Sequence, residues 1–545
     1  MPWTQSYDPF GQVAFSALCA ALPILALFYA LAVRRLPGHK GGPFALALAL
    51  LVAYLAWRMP MRLVLLSGFA GVLFGMFPIG WIIVTALFLY NITVEMGQFE
   101  LIKDSVARVS GDRRLQALLI AFSFGAFLEG AAGFGAPVAI SAAMLVGLGF
   151  EPFRAAGISL LANTVPVAFA GFGIPLVTLA GVTGLELRDL SAMVGRQLPF
   201  VSAILPAWLV VVVAGWRGLK GVWPAVLVSG LSFAMAQWLS SNYLGPYLPD
   251  LLSALVSTAA LVTLLRFWRP SATWRFAHEP APGVAPRAAR ETAPSAGRIM
   301  RAWVPFLLLS GIVLLWNVPV VKQALDAVTL KPAIPGLHNT VLRTPPAVAA
   351  EAPYPAVFNF NWLSVPGTAL LLTALLSMWY LGMKPVRGLR LLVKTVRQLW
   401  SPLLTICSVL ALAFIMNYSG MSTTLGLVLT KAGKAFPFFA PLLGWLGVFL
   451  TGSDTSSNAL FGKLQAVTAS QIGADPTLIA AANTTGGVTG KMISPQSIAV
   501  ATASASLVGQ EGRLFRFTLR HSIILALIIS AITFLQAYVV GWMVP

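Results

Sequence analysis

Apolar runs of 17–23 residues recur along the whole chain, separated by short polar or basic connectors. Runs of that length cross a bilayer as helices. No run alternates apolar and polar residues as the strand of a membrane barrel does. The pattern predicts spans near 11–33, 42–57, 61–77 and 78–95, then near 198–214, 222–239, 247–267, 302–318, 362–381 and 399–418, with a last one near 522–543. Two kinds of segment break the pattern. The stretches 115–149 and 437–473 are apolar but interrupted by glycine-rich polar turns, at Gly130–Pro137 and Gly452–Asn458, and the arms of the first are too short to cross. They predict re-entrant hairpins, whose non-helical tips are tolerated at membrane depth only where protein or a water-filled cavity covers them. The stretches 154–181 and 476–505 are long enough to span but carry Asn, Gly and Pro, with breaks expected near Asn163–Pro166, near Gly173–Pro175 and at Asn483–Gly487. They predict discontinuous helices.

The interruptions form a duplication. Phe127, Leu128 and Gly130 match Phe449, Leu450 and Gly452, and Asn163, Thr164 and Pro175 match Asn483, Thr484 and Pro495. Six expected crossings separate 78–95 from 399–418, so the two halves should run in opposite directions. Inverted repeats with interrupted helices in matching positions are the strongest sequence pointer to a transporter's binding site. The chain divides accordingly into N-terminal helices (1–77), a first repeat (78–214), connecting helices (222–267), an Ala-, Pro- and Arg-rich cytoplasmic linker (270–300), further connecting helices (302–381) with an outward loop at 318–361, and a second repeat (399–543).

Composition agrees: 58% of the residues are hydrophobic and 10% charged, against about 25% charged in a soluble protein. The net charge of +19 does not point to nucleic acid, because the cations cluster in short connectors, as at Trp216–Gly221, Arg266–Arg301, Lys384–Arg397 and Arg513–Arg520. These fall on one side of the predicted spans, the cytoplasmic side by the positive-inside rule. The N-terminus is then expected inside and the C-terminus outside, with Arg34, Arg35 and Lys40 as exceptions. The first apolar run is too long for the core of a signal peptide and lacks a basic start. Cys19 and Cys407 both lie in apolar segments and read as small core residues.

The candidate chemistry sits at the interruptions. Glu129 stands at the first tip among apolar residues and glycines, where a charged carboxylate is expensive; it is the expected proton carrier, flanked by Gly130 and Gly133. Asp454, the other proton-coupling candidate, stands in the second tip within a run of polar groups, Thr451, Gly452, Ser453, Thr455, Ser456, Ser457 and Asn458. Those groups can cap the following helix and, at its N-terminus, hold an anion. Asn163, Thr164, Asn483, Thr484 and Thr485 are placed to bind a carboxylate and a hydroxyl. Lys491, with Ser494 and Gln496 close by, is a cation positioned to neutralise an anionic substrate. The four histidines show no metal spacing, and no nucleotide-binding P-loop occurs. No metal, cofactor or catalytic residue is expected.

FGAFLEGAAGFGAPVAI (Phe124–Ile140), TGSDTSSNALFGKLQA (Thr451–Ala466) and AANTTGGVTGKMISPQSIA (Ala481–Ala499) resemble the bacterial L-lactate permease family. The resemblance runs from TQSYDPFGQ near the start to LQAYVVGWMVP at the end. It implies an inner-membrane secondary transporter that takes up L-lactate, D-lactate and glycolate with protons, in a wider superfamily whose members use inverted repeats and often move as elevators. Lys463 departs from the family pattern, in which a small residue usually stands. Residues and resemblance together predict an all-α polytopic membrane protein of about 13 transmembrane helices and two re-entrant hairpins, with elevator-type scaffold and transport domains. Its partners would be a small hydroxy acid, protons and membrane lipids, without nucleic acid. The alternatives are a sodium-coupled or broader organic-anion carrier, an anion channel, or a membrane enzyme, which would need a nucleophile–base pair or metal cluster.

Overall fold

The computed structural model describes residues 2–131, 133, 136–276, 295–348 and 350–545. Helices α1 (Val13–Phe28), α2 (Gly38–Leu55), α3 (Met61–Phe74) and α4 (Trp81–Glu95) lead to a short helix, α5 (Gln98–Ala107). In the first hairpin, α6 (Arg113–Gln116), a π-helical stretch (Ala117–Phe124) and α7 (Gly125–Ala131) form one arm and α8 (Ala136–Gly147) the other. A broken helix follows, α9 (Pro152–Ala162) and α10 (Ala170–Thr183). The connecting elements are α11 (Leu187–Val194), α12 (Leu198–Lys220), α13 (Trp223–Leu239), α14 (Pro249–Phe267), α15 (Ala296–Asn317), α16 (Pro319–Asp326), α17 (Pro366–Leu381), α18 (Pro385–Ser419) and α19 (Met421–Leu429). The second hairpin is α20 (Phe436–Thr451) and α21 (Asp454–Ile472), the second broken helix is α22 (Pro476–Lys491) and α23 (Pro495–Ser504), and α24 (Glu511–Tyr538) closes the chain. Among the described residues, 11 helical stretches are long and apolar enough to cross a membrane. Leu, Phe, Ile and Trp side chains lie exposed on the outer faces of α1, α2, α13, α17 and α24, as lipid contact requires.

The frame is an antiparallel pair of long helices. α18 has 35 residues, about 52 Å at the α-helical rise. Against it runs Met61–Glu95, also 35 residues. Gly71 packs on Leu410 and Ala411, Gly75 on Cys407; further along, Asn91 Nδ2 donates to Thr395 Oγ1 at 2.8 Å and Arg387 pairs with Glu95 at 2.7 Å. The spans expected at 61–77 and 78–95 are therefore one bent element. Phe77 alone leaves the helical region (φ −145°, ψ 125°), just before Pro78, and the chain resumes its direction along α18.

This changes where the N-terminus lies. β1 (Trp3–Thr4) pairs in parallel with β2 (Val341–Arg343), which pairs antiparallel with β3 (Ala352–Pro353). Gln5 Nε2 also donates to the carbonyls of Asn417 and Tyr418 at 2.9 and 2.8 Å. The N-terminus thus shares a face with the 318–361 loop. An inward N-terminus and an outward 318–361 loop cannot both hold, so the two expectations are corrected as a pair. The cause is the continuous Met61–Glu95 helix, which supplies one crossing in place of two.

The hairpins enter from opposite ends. The base of the first follows α5 at the Glu95–Arg387 end, where Arg114 pairs with Asp112 at 2.6 Å and donates to Ala272 O, and Trp274 N donates to Asp112. The base of the second lies at the loop end, where Gln471 Nε2 donates to Pro346 O at 2.7 Å. At the first tip Gly130 and Ala131 are still helical, and Ala132, Phe134 and Gly135 fall outside the described residues, as does most of the 270–300 linker (277–294). The break at Asn163–Pro166 is present, followed by a 3₁₀ turn over Val165–Phe169 and left-handed residues at Gly171, Phe172 and Gly173. The break expected at Asn483–Gly487 is not: α22 runs unbroken to Lys491, and the chain turns at Met492–Ser494 before Pro495. Gly486 and Gly490 lie against the carbonyls of Pro441 and Trp445 on α20. They are there for close helix approach, not for chain reversal.

Two outcomes check this frame. An epitope at the N-terminus and one inserted near residue 345 should be reached by antibody from the same side of the membrane; opposite accessibility would undo the shared sheet. A β-carbon on Gly71 would sit 2.5–2.7 Å from the backbone of Leu410–Ala411, whereas one on Gly147 meets open space. Gly71→Ala should destabilise the purified protein by about 1–3 kcal/mol, read as a lower melting temperature, and Gly147→Ala should not. Equal melting temperatures would mean that α3 does not press on α18.

Candidate functional site

The two tips meet at one cavity of about 320 Å³. Glu129 and Gly133 reach it from the first hairpin, Thr451–Ser456 from the second, Gly171, Ile174 and Pro175 from the first broken helix, and Lys491, Gln496 and Ser497 from the second. The remaining wall comes from outside the repeats' interrupted elements, from Leu27 and Leu31, Gly38, and Ser401–Val409 on α18.

The second tip is built by local rules. α20 ends at Thr451, and Gly452 follows in the left-handed conformation (φ 70°), the usual glycine termination. A side chain there would also run into Gln496. Ser453 is extended and its hydroxyl accepts from Ser456 N at 3.2 Å, capping α21. Thr451 Oγ1 donates to Gly447 O at 2.7 Å and accepts from Ser453 N. Ser494 caps α23 in the same way, accepting from Ser497 N at 3.2 Å; it is buried and does not line the cavity. Two helix N-termini, those of α21 and α23, therefore face the cavity with their positive dipole ends. Lys491, at the end of α22, donates to Gly452 O at 2.6 Å and lies within electrostatic reach of both Glu129 and Asp454.

The carboxyls are less well provided for. Asp454 is buried with neither oxygen hydrogen-bonded, and Glu129 Oε2 has no partner. Asn163 neighbours the Glu129 carboxyl, yet both its amide atoms, and the Thr164 hydroxyl, are buried without hydrogen bonds. Gly130 does not line the cavity. It lets α7 press onto the start of α14, where a β-carbon would sit 2.9 Å from Asp250 Cβ. Asp250 is buried, has no partner on either oxygen and interacts electrostatically with Glu129. Buried polar groups are nearly always paired, so this concentration of unpaired ones marks the region as chemically special.

The duplicated Asn-Thr pairs have different surroundings. In the second repeat Asn483 Nδ2 and Thr484 Oγ1 both donate to Asn458 Oδ1, at 2.8 and 2.9 Å, and Asn483 Oδ1 accepts from Gln465 Nε2 at 2.8 Å. Asn458 Nδ2 donates to Pro175 O at 3.0 Å, Ser457 to Gly444 O, and Thr485 to Gln197 Oε1. The predicted site residues Ser457, Asn458, Asn483, Thr484 and Thr485 are thus tied to one another or to neighbouring helices, outside the cavity wall. Asn163 and Thr164 do not line the cavity either, but they have no such ties.

Sequence reading missed Asp250 and the α18 wall of Ser401, Pro402 and Thr405. For Asp250 a signal existed, an acid beside an apolar span, but its position just after Pro249 reads as the ordinary first turn of a helix. Nothing local marks the α18 residues.

A family profile described as L-lactate permease matches residues 16–540. The chain is 51% identical to L-lactate permease of Bacillus subtilis over 569 residues, covering 100% of both chains, and 51% identical to L-lactate permease of Escherichia coli over 549 residues, again covering 100% of both. It is 51% identical over 554 residues to the glycolate permease GlcA of Escherichia coli, covering 98% of each. The chain belongs to the L-lactate permease family, and with its many apolar helices it is a multi-pass protein of the bacterial inner membrane.

Proposed function

We propose that this chain carries small 2-hydroxymonocarboxylates, lactate and glycolate among them, across the membrane in symport with a proton. The observation that carries the reading is the charge balance of the cavity. Lys491 is the one cation among its described lining side chains, and it faces two carboxyls, Asp454 with neither oxygen hydrogen-bonded and Glu129 with Oε2 unpartnered, with Asp250 behind the latter. With both lining carboxyls ionised, an entering anion would leave two excess negative charges in a poorly hydrated space, where uncompensated charge is costly. One proton taken up with each anion offsets the added charge, so that loading leaves the net charge of the cavity as it was. Transport of an anion with a proton is electroneutral, so the membrane potential does not oppose uptake.

In this reading the ammonium of Lys491, the N-termini of α21 and α23, and the side chains of Ser453, Thr455, Ser456 and Gln496 hold the carboxylate. Asn163, whose amide is unpaired, reads the 2-hydroxyl. Glu129 carries the proton, with Asp250 as its neighbour. The hairpins and broken helices move against α1–α4, α17 and α18, an elevator-type division supported by a cavity wall drawn from both groups. The N-terminus and the 318–361 loop face outward. With Met61–Glu95 counted once, Arg34, Arg35 and Lys40 join the Lys384–Arg397 cluster on the cytoplasmic side, and the positive-inside pattern loses the exception they made.

Proteoliposomes bearing the full chain should concentrate labelled L-lactate when a proton gradient is imposed, with glycolate competing and a sodium gradient alone giving no accumulation. Accumulation that follows sodium and ignores pH would sink the symport. Glu129→Gln should abolish pH-driven accumulation yet retain lactate exchange, because exchange does not return an empty carrier. A Glu129→Gln protein that still concentrates lactate would move the proton to another group.

The two asparagines should part company. Asn163→Ala should raise the KM for lactate about tenfold relative to that for propionate, which lacks the hydroxyl, as expected for one lost hydrogen bond. Asn483→Ala strips partners from Gln465 and Asn458 and should lower stability by about 1–3 kcal/mol, without changing the preference between the two acids. Identical effects of both substitutions on that preference would contradict this division.

A further inference from the structure

A second cavity, of about 590 Å³, lies against the other end of α10. Ile174 and Pro175 face the central cavity, whereas Val177 and Ala180–Gly184 face this one. The outer loop covers it with Arg343 and the stretch Tyr354–Asn359, and α21 contributes Lys463. Its described lining holds these two cations and no carboxylate, the reverse of the central cavity.

Neither cation is satisfied in the way a structural cation usually is. Lys463 Nζ donates to the carbonyl of Thr183 at 3.1 Å. The Arg343 guanidinium lies over the Tyr354 ring, 4.9 Å from its centroid, and its Nε is buried without a hydrogen-bond partner. Among the described residues neither forms a salt bridge, and the two are close enough for their charges to repel. Two like charges held together in a partly enclosed, aromatic-walled space focus a positive potential into it. An anion between them would remove the repulsion and engage the free guanidinium edge, which suits a carboxylate.

We propose that this vestibule is a capture site for a small monocarboxylate anion, held between Arg343 and Lys463 on the loop face before it passes to the central cavity. The direction of passage rests on the transport reading above; the anion site itself does not. Such a site raises the local concentration of substrate at one face only. It adds nothing to binding from the opposite face, whose approach leads past Gly38 and Ser401.

The test uses the full chain with Arg343→Gln, Lys463→Gln and the two combined. Glutamine keeps a donor for the Thr183 carbonyl and discards the charge. In proteoliposomes of known orientation, the double substitution should raise the KM for L-lactate offered at the loop face about tenfold. The maximal rate and the KM at the opposite face should stay unchanged, and the dependence of the loop-face KM on ionic strength should flatten. Arg343→Lys, which keeps the charge but loses the planar fork, should retain the dependence on ionic strength and show a smaller rise in loop-face KM than Arg343→Gln. An unchanged loop-face KM in the double variant overturns the proposal. So does a KM raised equally at both faces with a fallen maximal rate, which is the signature of a merely structural role. Calorimetric binding of L-lactate to the purified chain separates this idea from the transport reading. A chain that binds lactate through Arg343 and Lys463 but moves none across liposomes keeps the capture site and loses the carrier, whereas transport with wild-type loop-face kinetics in the double variant does the reverse.

Discussion

The ammonium of Lys491 is placed where the two repeats converge, with a carboxyl from each tip within its field. Its hydrogen bond goes to a backbone carbonyl, Gly452 O, so neither carboxyl is discharged by direct pairing. A buried ion pair closed by short hydrogen bonds would be a fixed structural unit, and breaking it would cost several kcal/mol. A cation shared between unpaired carboxyls is different. It tolerates a change in the number of protons or anions nearby, because no strong bond has to be given up first. The rest of the central architecture serves this arrangement. The hairpins carry Glu129 and Asp454 to the central cavity, and the turn at Met492–Ser494 sets Lys491 and the start of α23 beside them.

Duplication has given the site two unlike halves. In the second repeat the polar groups are consumed internally: Asn458 links Asn483 and Thr484 to the carbonyl of Pro175, and Gln465 completes the set. Networks satisfied to this degree rigidify what they join. The glycines of α22 add to the effect by bringing it into backbone contact with α20. In the first repeat the corresponding Asn163 and Thr164 are unpaired beside Glu129, and Asp250, on the connecting helix α14, adds a further unpaired carboxyl. The polar groups of the second repeat are thus tied down, whereas those of the first are left without partners.

How much of this was legible follows from what is local. The second hairpin was readable almost to the residue, expected at 437–473 and found at Phe436–Ile472. A left-handed glycine after Thr451 and a serine cap before Asp454 are short-range devices with their own sequence signs. What failed was decided by partners far away in sequence. The GMFPIG segment has the composition of a loop, yet α18 runs alongside and keeps Met61–Glu95 a single element. The glycines of ANTTGG look like those of a chain break, and only the presence of α20 shows that they pack. Asp250 looks like an ordinary first-turn acid until the fold sets it against Gly130 and Glu129. The Asn-Thr repeat could not reveal that its two copies differ in bonding.

α10 connects these observations. One end borders the cavity that holds Lys491 and its carboxyls, the other the vestibule that holds Arg343 and Lys463. Between rigid partners it begins with three consecutive left-handed residues, one of them the buried Phe172 (φ 63°). A bulky residue in that region is strained and persists only where its surroundings over-determine it. Pro175, just beyond, leaves the helix short of a donor, and the carbonyl of Pro175 is claimed by Asn458 of the second repeat. The segment is thus held in place by tertiary contacts more than by its own helical preference. It is the wall that separates the cavity of Lys491 and its two carboxyls from the cavity of Arg343 and Lys463. Under the proposed symport, it is the segment an anion captured at the loop face would have to pass to reach the central cavity.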